Sequence, residues 1–184
     1  MTGPPGYAAR CILLAVGLIF VACDATTAQS VTAPMVTAAF LFNFAKFTEW
    51  PADAPQGGPL TICVSGDPVV KSALEQIVKG RPLAGRDVSA ASVSDGGWRT
   101  CHVLYLTGLD AGRSQRIVDE LKGAPVLTVS DREGFVEKGG MVVLVLDGGK
   151  IRFKINTDAA ERARLRLSSR VLVLATVVRD GTGH

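Results

Sequence analysis

The chain has 184 residues, 47% of them hydrophobic, a length and composition that suit one ordinary domain around a single core. Its net charge is only +3, with Lys, Arg, Asp and Glu interspersed along the chain. That falls well short of the concentrated basic footprint of a dedicated nucleic-acid binder, so DNA and RNA are excluded as expected partners.

In chain order, Arg10 precedes an apolar run from Cys11 to Ala22, followed by Cys23, Asp24 and a small-polar stretch to Ser30. A basic residue, a short apolar core and small residues form the pattern of a secretory signal. The core is shorter than the roughly 20 apolar residues that a transmembrane helix needs. Residues 1–28 are therefore expected to be an export signal and 29–184 the exported domain. Thr26-Thr27-Ala28 ahead of Gln29 offers a cleavage site that leaves a soluble protein. Phe20-Val21-Ala22-Cys23 offers a second route, since it resembles a lipobox with an unusual Phe at its first position; acylation of Cys23 would tether the domain to a membrane.

Export leaves Cys63 and Cys101 as the cysteines of the folded part. In an oxidising compartment two cysteines suggest one disulfide, which would remove loop entropy from the unfolded chain worth roughly 4 kcal/mol. Two buried free thiols are the alternative.

Val36, Phe40, Phe44 and Phe47 recur at helical spacing within Val31 to Trp50, and Pro51 stops that predicted helix. Leu60 to Val64 reads as a strand. Ser65-Gly66-Asp67-Pro68 carries helix-start chemistry for a helix from Val69 to Lys79. A weak strand near Asp87 to Val93, a stronger one from Cys101 to Leu106, a helix from Ala111 to Lys122 and a strand from Pro125 to Ser130 follow. Met141 to Leu146 and Ile151 to Asn156 then read as a hairpin, with Ile151, Phe153 and Ile155 alternating with Arg152, Lys154 and Asn156. Thr157 and Asp158 can cap a short helix through Arg164, and Ser168 can cap what comes next. The β-branched run Val171 to Val178 reads as a strand by periodicity. About six strands interleaved with helices predict a single α/β domain with a mixed central sheet flanked by helices.

Catalytic signals are sparse. The chain has two histidines, His102 beside the expected disulfide and His184 at the terminus, and neither is spaced as a general base with a nucleophile. No Cys-x-x-Cys or His-Glu-x-x-His spacing points to a metal, and the paired glycines form no phosphate-binding signature, so no cofactor is expected. Two features fit partner binding. Phe42 falls among Asn43, Lys46 and Glu49 on the helical wheel, away from the apolar stripe, where it is either a contact aromatic or covered by a second layer. The segment from Asp147 to Arg170 carries an excess of basic residues, including Arg152, Lys154 and Arg166, which form a basic face if they converge and a merely solvated surface if they do not.

Several stretches together resemble the YfiR family of periplasmic proteins: Val36 to Pro51 (VTAAFLFNFAKFTEWP), Cys101-His102-Val103-Leu104-Tyr105, Pro125 to Asp131 (PVLTVSD), Gly139-Gly140-Met141, Ile151 to Asn156 (IRFKIN) and Leu165 to Arg170 (LRLSSR). The resemblance covers residues 31 to 178. It implies a periplasmic, non-catalytic α/β domain that represses an inner-membrane signalling protein, a diguanylate cyclase in the best-understood case, and so lowers cyclic di-GMP and biofilm formation. It also implies that Cys63 and Cys101 form one of the family's disulfides, and that Val171 to Val178 is helical. The chain departs from the pattern in lacking a second cysteine pair near Met141 to Arg152, and Lys154 stands where an acidic residue is expected. The expected partner is thus the periplasmic domain of a membrane protein, with Phe42, Arg152, Lys154 and Arg166 as candidate contacts. Contact with the membrane itself would come only through that partner or a lipid anchor, and a homodimer is compatible with the reading. The alternative is a periplasmic small-molecule-binding module serving another membrane receptor, since open α/β sheets bind ligands at the carboxyl ends of their strands.

Overall fold

The computed structural model describes residues 33–55, 57–147 and 150–180. The expected export signal, the candidate lipidation site Cys23 and His184 lie outside the described residues. In chain order the elements are α1 (Ala33–Lys46), β1 (Thr48–Glu49), β2 (Leu60–Ser65), α2 (Pro68–Val78), β3 (Val88–Ser92), a short 3-10 turn (Trp98–Thr100), β4 (Val103–Leu106), α3 (Ala111–Glu120), β5 (Leu127–Ser130), β6 (Val142–Asp147), β7 (Lys150–Asn156), α4 (Thr157–Arg162), β8 (Arg166–Leu167), α5 (Ser169–Leu172) and β9 (Thr176–Val178).

Seven strands form one sheet in the order β3-β2-β4-β5-β6-β7-β9, and β1 pairs with β8 in a separate two-stranded ladder. All neighbours in the large sheet run parallel except β6 and β7, which form the predicted hairpin. The central strands β2, β4 and β5 are buried along nearly their whole length because both of their faces are covered, as parallel sheets require. Alternation divides each strand between two cores. Ile62, Val103, Tyr105, Leu127, Val129, Val142, Phe153 and Ile155 face the α1 and α2 side, whereas Cys63, Leu104, Leu106 and Val143 face the α3 side.

The first helix is shorter than the predicted span and is buried differently. Its fully covered residues are Ala38, Leu41, Phe44 and Ala45, while Val36, Phe40 and Phe47 from the predicted stripe are only partly covered. The helix is apolar around most of its circumference, and it touches both α2 and the sheet, so no single narrow stripe describes it. It ends at Lys46 because the chain turns into β1. Thr48 Oγ1 donates to the carbonyl of Phe44 at 2.7 Å, and Thr48 and Glu49 pair antiparallel with Leu167 and Arg166.

The expected turn at Ser65–Pro68 is present, with Asp67 accepting from the amides of Val69 and Val70 as the N-cap of α2. Gly66 is required there. Its φ is +101°, and a Cβ at that position would lie 1.9 Å from the carbonyl oxygen of Thr107 in the turn after β4. The cap of α4 differs from expectation: Asn156, not Thr157 or Asp158, accepts from the amide of Ala159, and its side-chain amide donates to Val136 O. Ser168 caps α5 as expected.

Val171 to Val178 is neither the continuous strand of its periodicity nor the continuous helix of the family resemblance. Ser168 starts a single helical turn through Leu172, and the chain re-extends at Thr176 to add β9 beside β7. Four residues of helix place Val171 in the core, and three of strand complete the sheet edge, so the segment serves both layers.

Candidate functional site

A cleft of about 460 Å3 opens between the end of α1 and the α4–β8 connection, with Glu49, Trp50 and Pro51 on one side and Glu161, Arg164 and Arg166 on the other. The β1–β8 ladder builds it. Glu49 stands directly opposite Arg166 in register, and Ser168 donates its amide to Phe47 O at 2.9 Å, tying the two walls together just past the ladder.

Arg164 closes α4 in the left-handed region at φ +58°, a conformation that usually falls to glycine and costs a side chain on the order of 1 kcal/mol. Its guanidinium then reaches Asp53 at 2.6 Å, which holds the Asp53 carboxyl below the usual carboxylate range. This contact links the loop after Trp50 to the end of α4. Arg166 is exposed and has no carboxylate within ion-pair distance among the described residues.

Behind Trp50 lies a buried polar node. The indole sits edge-on to the His102 ring with centroids 5.7 Å apart, and its Nε1 is buried with no hydrogen-bond partner among the described residues. His102 is 2% exposed. Its Nδ1 accepts from the amide of Thr61 at 3.1 Å, so the ring proton belongs on Nε2, which donates to Pro55 O at 3.0 Å. Arg86 lies 3.3 Å from that Nε2 while donating to Pro55 and Gly58 carbonyls. Both ring nitrogens are therefore engaged in holding the loop over β2 and β4, which is a structural role.

Burial, chiefly, and the neighbouring Arg86 charge push the His102 pKa down, against the opposing effect of the Pro55 bond. The folded state thus favours neutral His102. Its contribution to stability is complete above the ordinary value of about 6.5 and is lost as pH falls toward the lower folded value. Thermal unfolding between pH 7.5 and 5 should show a midpoint that drops with acidification, and His102→Asn, which keeps an acceptor for Thr61 but cannot protonate, should flatten that slope. An equal slope in both proteins would remove His102 as its source. Asp53, Asp110 and Asp180 also have lowered pKa values, but they act only below the ordinary carboxylate range.

Cys63 and Cys101 are joined in a disulfide. The four candidate partner contacts do not converge. Arg152 pairs with Asp147 at 2.8 Å and Lys154 with Glu137 at 3.6 Å, and both project from the face of β7 opposite Phe153. Phe153 packs edge-on against Phe40 and Phe44 of α1 on the other side of the sheet. Phe42 belongs to that α1 layer and is half-buried against its core, while Arg166 lines the cleft. Arg152 and Lys154 share one face of β7, whereas Arg166 lies on β8, which pairs with β1 in a separate ladder, so the basic face that these residues would form on convergence is divided between two sheets. Trp50 and Glu161, which shape the cleft, carried no individual signal in the sequence beyond the Trp-Pro stop after the first helix.

Among the described residues no group of three or more His, Cys, Asp or Glu side chains is arranged to hold a metal ion, and no helix is long and apolar enough to cross a membrane. A family model described as YfiR/HmsC-like matches residues 34–176, from the first turn of α1 to the start of β9.

Proposed function

The chain belongs to the YfiR/HmsC-like family, and from that premise we propose that it is a periplasmic repressor of an inner-membrane diguanylate cyclase. Membership points to a regulatory, non-catalytic role in cyclic di-GMP signalling in the periplasm. The observation that carries the reading is the family match across nearly the whole described domain. The structural engagement of both His102 nitrogens also counts against that residue as a catalytic base.

Repression in this reading is a population shift: the domain binds the inactive state of the cyclase's outer-facing region more tightly than the active one, and shifts the equilibrium only by that difference. The partner meets the cleft that Arg166 lines, with Phe42 of α1 as a separate candidate contact. Arg166 supports this choice because, unlike Arg152 and Lys154, it has no ion pair to give up among the described residues.

Intracellular cyclic di-GMP should rise when the gene is deleted in its native host and return when it is restored. Arg166→Glu should fail to restore repression, whereas the Arg152→Glu/Lys154→Glu double substitution should restore it. No change on deletion across several growth and redox conditions would sink the cyclase reading. Restoration by Arg166→Glu would leave that reading standing and move the contact surface away from the cleft.

A second reading, a small-molecule-binding module, is favoured by one observation. The cleft at Trp50 is of ligand size, presents an aromatic wall beside charges of both signs, and is lined by an indole whose buried N–H has no partner among the described residues. Unchanged cyclic di-GMP together with saturable solute binding at Trp50 would put this reading first.

A further inference from the structure

A second cavity, of about 280 Å3, lies away from the Trp50 cleft, between the end of α3, the loop ahead of β6 and α4. Its floor is apolar and buried: Val118, Met141 and Ala159 are each at most 9% exposed. Lys122 and Lys138 stand at its mouth, and neither forms an ion pair among the described residues. Its lining also carries Arg162, Asp180 and Asp119. Asp180 accepts from Asn156 and pairs with Arg162, which together hold its carboxyl below the usual range, and Asp119 accepts from Gln115 at 3.0 Å. Three cations, Lys122, Lys138 and Arg162, against two carboxylates leave the lining with a net positive charge over an apolar floor, with the Lys122 charge also acting on Asp180.

At the base of the cavity Thr128 is 2% exposed, and its Oγ1 accepts from the amide of Met141 at 3.1 Å. A hydroxyl can also donate once, and no acceptor for that hydrogen is found among the described residues. A buried donor, an apolar wall and a cationic mouth are the complement of a small molecule with an acceptor oxygen at one end, an apolar body and an anionic group at the other. The volume lies at the lower limit of small-molecule sites, which restricts the occupant to a single ring or a short chain.

We propose that this cavity binds a small organic monocarboxylate, its carboxylate between Lys122 and Lys138, its body on Val118, Met141 and Ala159, and a distal oxygen accepting from Thr128. 4-Hydroxybenzoate is a suitable probe, with the uncharged 4-hydroxybenzamide as its control. Both would be titrated into protein purified from cells expressing the full-length gene, followed by methyl NMR of Met141 and Ala159. Saturable shifts of those methyls by the acid are expected, with affinity reduced at least tenfold for the amide and for Lys122→Gln/Lys138→Gln. Both lysines are exposed and form no ion pair among the described residues, so the double variant keeps the fold, which its unchanged unfolding midpoint would verify. Absence of saturation, equal binding of the amide, undiminished binding by the double variant, or shifts confined to the Trp50 cleft would each overturn the proposal. None of these outcomes bears on cyclase repression, which is read separately in the host.

Discussion

Replacing Cys63 and Cys101 together by alanine is expected to lower the unfolding free energy by about 4 kcal/mol, with a fall in the thermal midpoint of roughly 8 to 16 °C. The cystine spans a sequence separation of 38 residues, so its loss returns a large loop to the unfolded ensemble. It joins β2 to the residue just ahead of β4, its neighbour in the sheet, and so closes the α2–β3 excursion between two paired strands. Both sulfurs are buried on the α3 side of the sheet, at 3% and 0% residue exposure, beside Trp98 and Leu104, so alanine also leaves unfilled volume. Calorimetry of the oxidised protein and of the double variant measures the difference. A shift below 2 °C would show that the crosslink restrains little that the sheet does not already hold.

Phe44→Ala is the second substitution with a large expected cost, about 3 to 5 kcal/mol, against roughly 1 kcal/mol for Phe42→Ala two residues away. Phe44 is 1% exposed, with its ring centroid 5.2 Å from Phe153 and 6.1 Å from Phe40, so its removal opens a hole where α1 meets β7. Phe42 is half-buried at the margin of the same core. Urea unfolding of the two variants decides between them. If Phe42→Ala proved the costlier, α1 would have to be rotated from the orientation described. Because the smaller cost leaves the domain folded, Phe42→Ala is also suited to the repression assay, where lost repression without lost stability would mark a partner contact.

The helices and strands from Leu60 to Asn156 were legible because each carries its own period and its own stop signal. Asp67 ahead of Pro68, the alternation of Ile151, Phe153 and Ile155, and the unbroken Ile62-Cys63-Val64 run each describe a local environment that the sheet then supplies. The reading faltered where one segment answers to two neighbours. α1 lies between α2 and the sheet, which erases a single stripe, and residues 171–178 serve first as core helix and then as sheet edge. The α4 cap went to Asn156 rather than Thr157 because the same side chain must also satisfy Val136 O and Asp180 across the domain.

Residue order alone pointed to an α/β domain and offered Cys63 and Cys101 as a disulfide with two free thiols as the alternative, since periodicity and cysteine usage are local properties that any compact solution must respect. The tertiary structure alone decided which charges share a surface. Arg152 and Lys154 point away from the α1 layer because strand alternation turns them from Phe153, and Arg166 faces the Trp50 cleft because β8 pairs with β1 at the far end of the sequence. The two lysines lining the second cavity come from separate connections, after α3 and before β6, and line one cavity only because those connections flank β5. Side-chain direction is set by pairing partners distant along the chain, and no local pattern encodes that.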